Sequence, residues 1–117
     1  MARLTTHVLD VAAGCPAAGM RVELHDASAS PPRLLAEAQT NRDGRCDRPL
    51  LEGEALRAGR YALTFHVGEY FRARGVALPE PAFLEEVVVK FGIASPSESY
   101  HVPLIVSPWS YSTYRGS

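Results

Sequence analysis

Two of the four histidines stand where an imidazole could transfer protons near neutral pH. In the segment SYHVPLIV, apolar residues alternate from Tyr100 to Val106, which predicts a strand with His101 on the face turned away from the core. His7 lies in LTTHVLD, where the burial pattern is too weak to fix its direction. The other two, His25 and His66, fall on the polar faces of their strands and are predicted to be solvated. From pattern alone, a surface or capping role is favoured for His7 and His101 as well.

Two arginines, like the two histidines, are either solvated surface residues or functional groups. Arg45 follows the turn in TNRDGR, and Arg115 lies in the closing segment YSTYRGS. The common outcome for such a residue is a solvated charge. The functional alternative is a planar fork that binds a carboxylate or a urea-like carbonyl edge through paired hydrogen bonds. The sequence pattern leaves both alternatives open.

Metal and nucleophile chemistry are disfavoured. The sequence contains no HxH, HExxH or closely spaced cysteine pair, so no metal site is expected. It contains no GxSxG either, which argues against a serine nucleophile. Cys15 and Cys46 lie beside turns, and we expect two free thiols without a catalytic role.

The elements that must position these groups are short strands separated by turns. A single domain over residues 1–117 is expected from the length of the chain. One segment, from Gly68 to Gly75, predicts a short helix that ends on a glycine. Seven or eight strands at this spacing predict an all-β sandwich. The candidate strands lie at 4–11, 20–25, 34–40, 61–67, 86–91, 100–106 and 109–115.

The composition excludes several classes of partner. The chain is 46% hydrophobic and 21% charged, as in ordinary globular proteins, and its formal net charge is −1. Nucleic acid and anionic membranes are therefore not expected as partners. Apolar stretches are shorter than a membrane span, and the first residues lack the pattern of a secretory signal, so we expect a cytoplasmic protein.

Several motifs together resemble the 5-hydroxyisourate hydrolase family, the transthyretin-like enzymes of purine breakdown. They are LTTHVLD, TNRDGR, GRYALTFHVGEYF and HVPLIVSPWSYSTYRGS, and they extend over essentially the whole chain. The closing YRGS is the most specific of them, because it separates the enzymes from transthyretin, the hormone carrier of the same fold. Transthyretin has a different ending after a similar SYST.

The resemblance implies a transthyretin-like sandwich of two four-stranded sheets with one short helix, assembled as a homotetramer with clefts between dimers. It implies hydrolytic ring opening of 5-hydroxyisourate to 2-oxo-4-hydroxy-4-carboxy-5-ureidoimidazoline, without a cofactor. The carrier function of transthyretin is the alternative, and a non-catalytic sandwich module is a further one.

The resemblance also implies roles for individual residues. His7 and His101 would handle proton transfers, and Arg45 would grip the acyl-urea edge and stabilise the developing oxyanion. The residues implied to bind substrate are Thr113, Tyr114, Arg115, Gly116 and Ser117. One position departs from the family: many relatives read HYHVPL, and here Ser99 replaces the first histidine, which removes a group that could titrate near neutrality.

Overall fold

Two β-sheets face each other across an apolar core in the computed structural model, which describes residues 1–116. The strands of the first sheet are β1 (Arg3–Asp10), β2 (Cys15–Pro16), β5 (Leu51–Glu52), β8 (Tyr100–Val106) and β9 (Tyr111–Thr113). Those of the second are β3 (Arg21–Asp26), β4 (Arg33–Gln39), β6 (Gly59–Phe65) and β7 (Val87–Ile93). The first sheet has the order β2-β1-β8-β9, and β5 also pairs with β1. The second has the order β4-β3-β6-β7.

The predicted sandwich of two sheets with one short helix is confirmed, with one difference in the first sheet. This sheet has five strands because two short segments share the outer edge of β1. Strand β2 pairs with Leu9 and Asp10, whereas β5 pairs with Arg3 and Leu4. The segment between β2 and β5 is therefore free to bring the turn before Arg45 against the middle of β1.

The alternating pattern of β1 and β8 determines which face of the first sheet is buried. In β1, Leu4 and Val8 are fully buried, while Thr5 and His7 are half-buried on the other face. Because side chains alternate along a strand, the same rule directs His101 of β8 away from the core. The two strands pair in parallel, although most other pairings in the fold are antiparallel.

Helix α1 spans Val67–Ala73, which begins one residue before the predicted helix, and Gly75 follows it with a φ of +83°. The helix is fixed to the end of β1 by a buried hydrogen bond, in which the Tyr70 hydroxyl donates to the Asp10 carboxylate over 2.8 Å. Asp10 also accepts the backbone N–H of Ala13 at 2.9 Å. No helix in the part of the chain described here is long and apolar enough to cross a membrane.

Two local expectations are wrong. The last strand was expected over 109–115 but covers Tyr111–Thr113, because the Ser107 hydroxyl accepts the N–H groups of Trp109 and Ser110 and holds these residues in a turn. The second concerns His66, which is not solvated. Its side chain is 13% exposed, and Nε2 lies 2.5 Å from Oε1 of Glu23 on the adjacent strand β3.

The two thiols, Cys15 and Cys46, are unpaired as expected. Both are only partly exposed, and burial raises the pKa of Cys46. A thiol of raised pKa is a poor nucleophile at neutral pH, so Cys46 is unsuited to catalysis.

Candidate active site

Three of the predicted site residues lie together on the outer face of the first sheet. His7 lies in the middle of β1, and Arg45 pairs with it as an isolated antiparallel bridge. On the other side of β1 is β8, where His101 pairs directly with Thr5, one step along the same face from His7. Three neighbouring segments thus bring one guanidinium and two imidazoles to a single surface.

The turn before Arg45 is closed by hydrogen bonds and one glycine. The side-chain oxygen of Asn41 accepts the N–H groups of Asp43, at 2.9 Å, and of Arg45, at 3.2 Å. Gly44 has a φ of +76°, a conformation that favours glycine, and its carbonyl accepts the N–H of Val8 at 2.8 Å. The turn is therefore attached to β1 directly beside His7.

His101 is held on two sides. The Thr5 hydroxyl lies 2.8 Å from Nδ1 of the imidazole. Gly116 forms a pair of backbone hydrogen bonds with His101, of 2.7 and 3.3 Å. A Cβ at Gly116 would approach Cδ2 of His101 to 3.0 Å, so only glycine leaves this ring undisturbed.

Both imidazoles are poised to be neutral at pH 7. Burial is the main cause that lowers the pKa of His7, and the positive charge of Arg45 lowers it further. The pKa of His101 is lowered by burial, then by Arg45, then by His7. Weaker contributions that raise the pKa come from Asp43 at His7 and from the Thr5 backbone at His101. A neutral imidazole can accept a proton from water, and the guanidinium beside it can stabilise a developing negative charge.

The remaining predicted residues do not all join this surface within one protomer. Thr113 pairs with the buried Leu104, so it projects to the core side of the sheet. Arg115 follows on that side: its guanidinium lies 4.3 Å from the ring centre of Tyr100 and hydrogen-bonds Glu98. Tyr114 is 60% exposed. Gly116 alone touches His101, and Ser117 lies outside the described residues.

Residues 4–116 match the model of the HIUase/Transthyretin family. The chain belongs to this family. Relatives that it resembles across the family include the 5-hydroxyisourate hydrolase of Pseudomonas aeruginosa, 60% identical over all of this chain and 93% of the relative. The 5-hydroxyisourate hydrolase of Ralstonia nicotianae is 57% identical over the full length of both chains.

Solved structures of the HIUase/Transthyretin fold agree with the architecture. The 5-hydroxyisourate hydrolase of Klebsiella pneumoniae superposes with a TM-score of 0.83 at 33% identity, over 100% of both chains. Sea bream transthyretin in complex with thyroxine superposes with a TM-score of 0.85 at 26% identity, over 97% of this chain and 94% of the transthyretin chain. An (S)-allantoin synthase superposes with a TM-score of 0.94 at 47% identity. The match covers 99% of this chain but only 44% of the synthase chain.

Ser99, the position that departs from the family pattern, has a structural role here. Its hydroxyl accepts the backbone N–H of Arg3 at 3.1 Å, and its carbonyl accepts a hydrogen bond from Arg115 at 3.2 Å. The side chain therefore connects the start of β1 to the segment before β8. It replaces a titratable group with a neutral hydrogen-bonding one.

Sequence reasoning missed Thr5 as a contributor to this surface. The threonine pair in LTTHVLD was visible, but its relation to His101 depends on the parallel register of β1 with β8. That register joins residues 96 positions apart, and no local pattern indicates it. Among residues 1–116, no group of three or more His, Cys, Asp or Glu residues could hold a metal ion.

Proposed function

We propose that this chain is a 5-hydroxyisourate hydrolase, which opens the ring amide of 5-hydroxyisourate to give 2-oxo-4-hydroxy-4-carboxy-5-ureidoimidazoline. The observation that carries the proposal is the convergence of His7, Arg45 and His101 on one sheet face, with the pKa of both imidazoles lowered. The relatives named 5-hydroxyisourate hydrolase support the substrate.

The proposed reaction is the addition of water to the ring carbonyl. One neutral imidazole takes a proton as the water oxygen bonds to the carbonyl carbon, and the carbonyl electrons move onto oxygen. Arg45 binds the acyl-urea edge and stabilises that oxyanion. When the carbon–nitrogen bond breaks, the leaving nitrogen takes that proton from the imidazolium, and the carbonyl carbon becomes that of a carboxylic acid, which loses the second proton of the water to solvent as a carboxylate. His7 and His101 share these transfers, and no cofactor is required.

Substrate contacts by Thr113, Tyr114, Arg115, Gly116 and Ser117 belong to the same proposal. Gly116 lies against His101, which supports its part. Thr113 and Arg115 project to the core side of their own sheet, opposite the face of His101, so their part in the proposal rests on the family resemblance.

A homotetramer is the assembly proposed. It is supported by three exposed aromatic side chains on and beside β9: Trp109, Tyr111 and Tyr114, which are 59%, 46% and 60% exposed in the single chain. Exposed aromatic groups of this density are typical of a surface covered by a partner. A single domain over 1–117 and a cytoplasmic location are proposed with it, and the two unpaired cysteines are consistent with a reducing compartment.

The test is the ultraviolet absorbance decay of freshly generated 5-hydroxyisourate, with and without protein. The wild-type chain should accelerate the decay over the spontaneous rate, and His101→Asn should lower kcat by ~10²- to 10⁴-fold while the fold persists. His25→Asn is the matched control, because His25 lies on the second sheet, and it should keep the wild-type rate. If decay is no faster than the spontaneous rate, the enzyme proposal is wrong, and the carrier alternative, which needs no such cluster, takes its place.

A further inference from the structure

Two adjacent threonines on β1 make hydrogen bonds of different kinds. Thr6 is buried, and its hydroxyl donates to the Val102 carbonyl at 2.7 Å, which fastens β1 to β8. Thr5 is half-buried on the opposite face, and its hydroxyl oxygen lies 2.8 Å from Nδ1 of His101. The first contact supports the sheet, whereas the second reaches a side chain of the candidate active site.

The surroundings of the His101 ring leave one nitrogen for chemistry. Nδ1 is engaged by Thr5, and Gly116 covers the edge of the ring at Cδ2 and Cγ. Within residues 1–116, no side chain or backbone group hydrogen-bonds Nε2 of His101. Since a neutral imidazole carries one proton, the partner of Nδ1 decides whether Nε2 is a donor or an acceptor.

We propose that Thr5 is a positioning residue whose hydroxyl oxygen accepts the Nδ1–H of His101, which keeps Nε2 unprotonated and able to take a proton from water. This inference rests on the proposed function, because it assigns the base of that reaction to Nε2 of His101.

A hydroxyl can donate or accept, so the 2.8 Å contact between Thr5 and Nδ1 permits either tautomer. The proposed direction is the one in which the nitrogen without a partner, Nε2, carries the free lone pair that a base needs. The Thr5 backbone raises the pKa of His101, which is the direction that an acceptor facing the ring gives. Arg45 and His7, the other charged or titratable groups near the ring, both lower its pKa and so oppose a second proton.

The experiment compares Thr5→Val, Thr5→Ser and Thr6→Val. Valine has the shape of threonine without the hydroxyl, and serine restores the hydroxyl. Nitrogen-15 NMR of the histidine side chains, with His101 assigned by its absence in His101→Asn, reports the tautomer directly. The wild type should show Nδ1–H, Thr5→Val should populate Nε2–H, and Thr5→Ser and Thr6→Val should match the wild type.

Kinetics give a second readout. Thr5→Val should lower kcat by about tenfold, as expected for one lost hydrogen bond, with KM nearly unchanged. Thr5→Ser should recover most of the rate, and Thr6→Val should lower stability without this loss of kcat. The proposal is overturned if the wild-type ring carries its proton on Nε2, or if Thr5→Val changes neither tautomer nor kcat. If instead the tautomer shifts as expected but no variant or wild type hydrolyses 5-hydroxyisourate, the positioning role stands and the proposed function fails.

Discussion

Replacing Gly44 with alanine tests whether the turn before Arg45 sets the geometry of the site. An added Cβ would lie 3.1 Å from the Cβ of Pro16 and 3.3 Å from the amide nitrogen of Ala17, and it would collide with the backbone oxygen of Val8. Two of these contacts are backbone atoms of paired segments, and the third belongs to a rigid ring. The turn itself must therefore move away from β1.

The expected cost follows from three contributions. A non-glycine residue at a φ of +76° costs about 1–2 kcal/mol. Movement of the turn weakens the Val8 N–H bond to the Gly44 carbonyl, of 2.8 Å, and the Ala17 N–H bond to the Val8 carbonyl, of 2.9 Å. Each is worth about 1 kcal/mol, so the free energy of unfolding should fall by about 3–4 kcal/mol. Arg45 follows Gly44 in the chain, and its displacement by 1 Å would lower kcat/KM by about 100-fold.

Gly14→Ala is the matched control. Gly14 has a φ of +72°, and a Cβ there meets no atom within 4 Å. The free energy of unfolding of Gly14→Ala should fall by about 1–2 kcal/mol from backbone strain alone, and kcat/KM should stay at the wild-type value. Urea unfolding measures the free energy of unfolding, and the absorbance decay of 5-hydroxyisourate measures kcat/KM. If Gly44→Ala is as stable as Gly14→Ala and as active as the wild type, the turn does not position Arg45, and the reasoning is refuted.

Three further predictions concern protonation, the His101 ring and the helix. The pKa values of His7 and His101 lie below the ordinary 6.5, so both imidazoles stay neutral in mildly acidic solution, and kcat/KM should fall only below pH 6.5. Arg45→Gln removes a charge that lowers both pKa values and should move this fall to higher pH. An unmoved pH profile would contradict the assigned influence of Arg45. Gly116→Ala should tilt the His101 ring and lower kcat by about tenfold, whereas Gly92→Ala, where a Cβ meets nothing closer than 3.8 Å, should not change it. Tyr70→Phe removes a buried hydrogen-bond donor to Asp10. In urea titrations the free energy of unfolding should fall by about 1–3 kcal/mol, with kcat unchanged. A variant as stable as the wild type would show that this bond does not fix the helix.

Local alternation was sufficient to predict most strands. Residues 100–106 were predicted and found as β8, and the buried positions of that strand follow the apolar pattern. Alternation could not show that Thr113 and Arg115 project away from the face of His101, because that direction depends on the pairing of β9 with β8 and on the contact of Arg115 with Tyr100.

Long-range pairing was the part that could not be predicted. The contact of Thr5 with His101 requires the parallel register of β1 and β8, and the hydrogen bond of His66 requires Glu23 on a neighbouring strand. An alternating pattern gives the direction of a side chain but not its partner. The family resemblance supplied the grouping of His7, Arg45 and His101, which pattern alone would have left as separate surface residues.

The parallel pairing of β1 with β8 has a consequence for folding. It joins the first strand of the chain to the eighth, and Thr5 meets His101 across 96 residues. Closing so long a loop before any contact is gained makes folding slow. During synthesis on the ribosome, the edge of β1 that pairs with β8 stays unpaired until nearly the whole chain has emerged. Nascent chains shorter than about 100 residues should therefore be inactive and prone to aggregate through that edge.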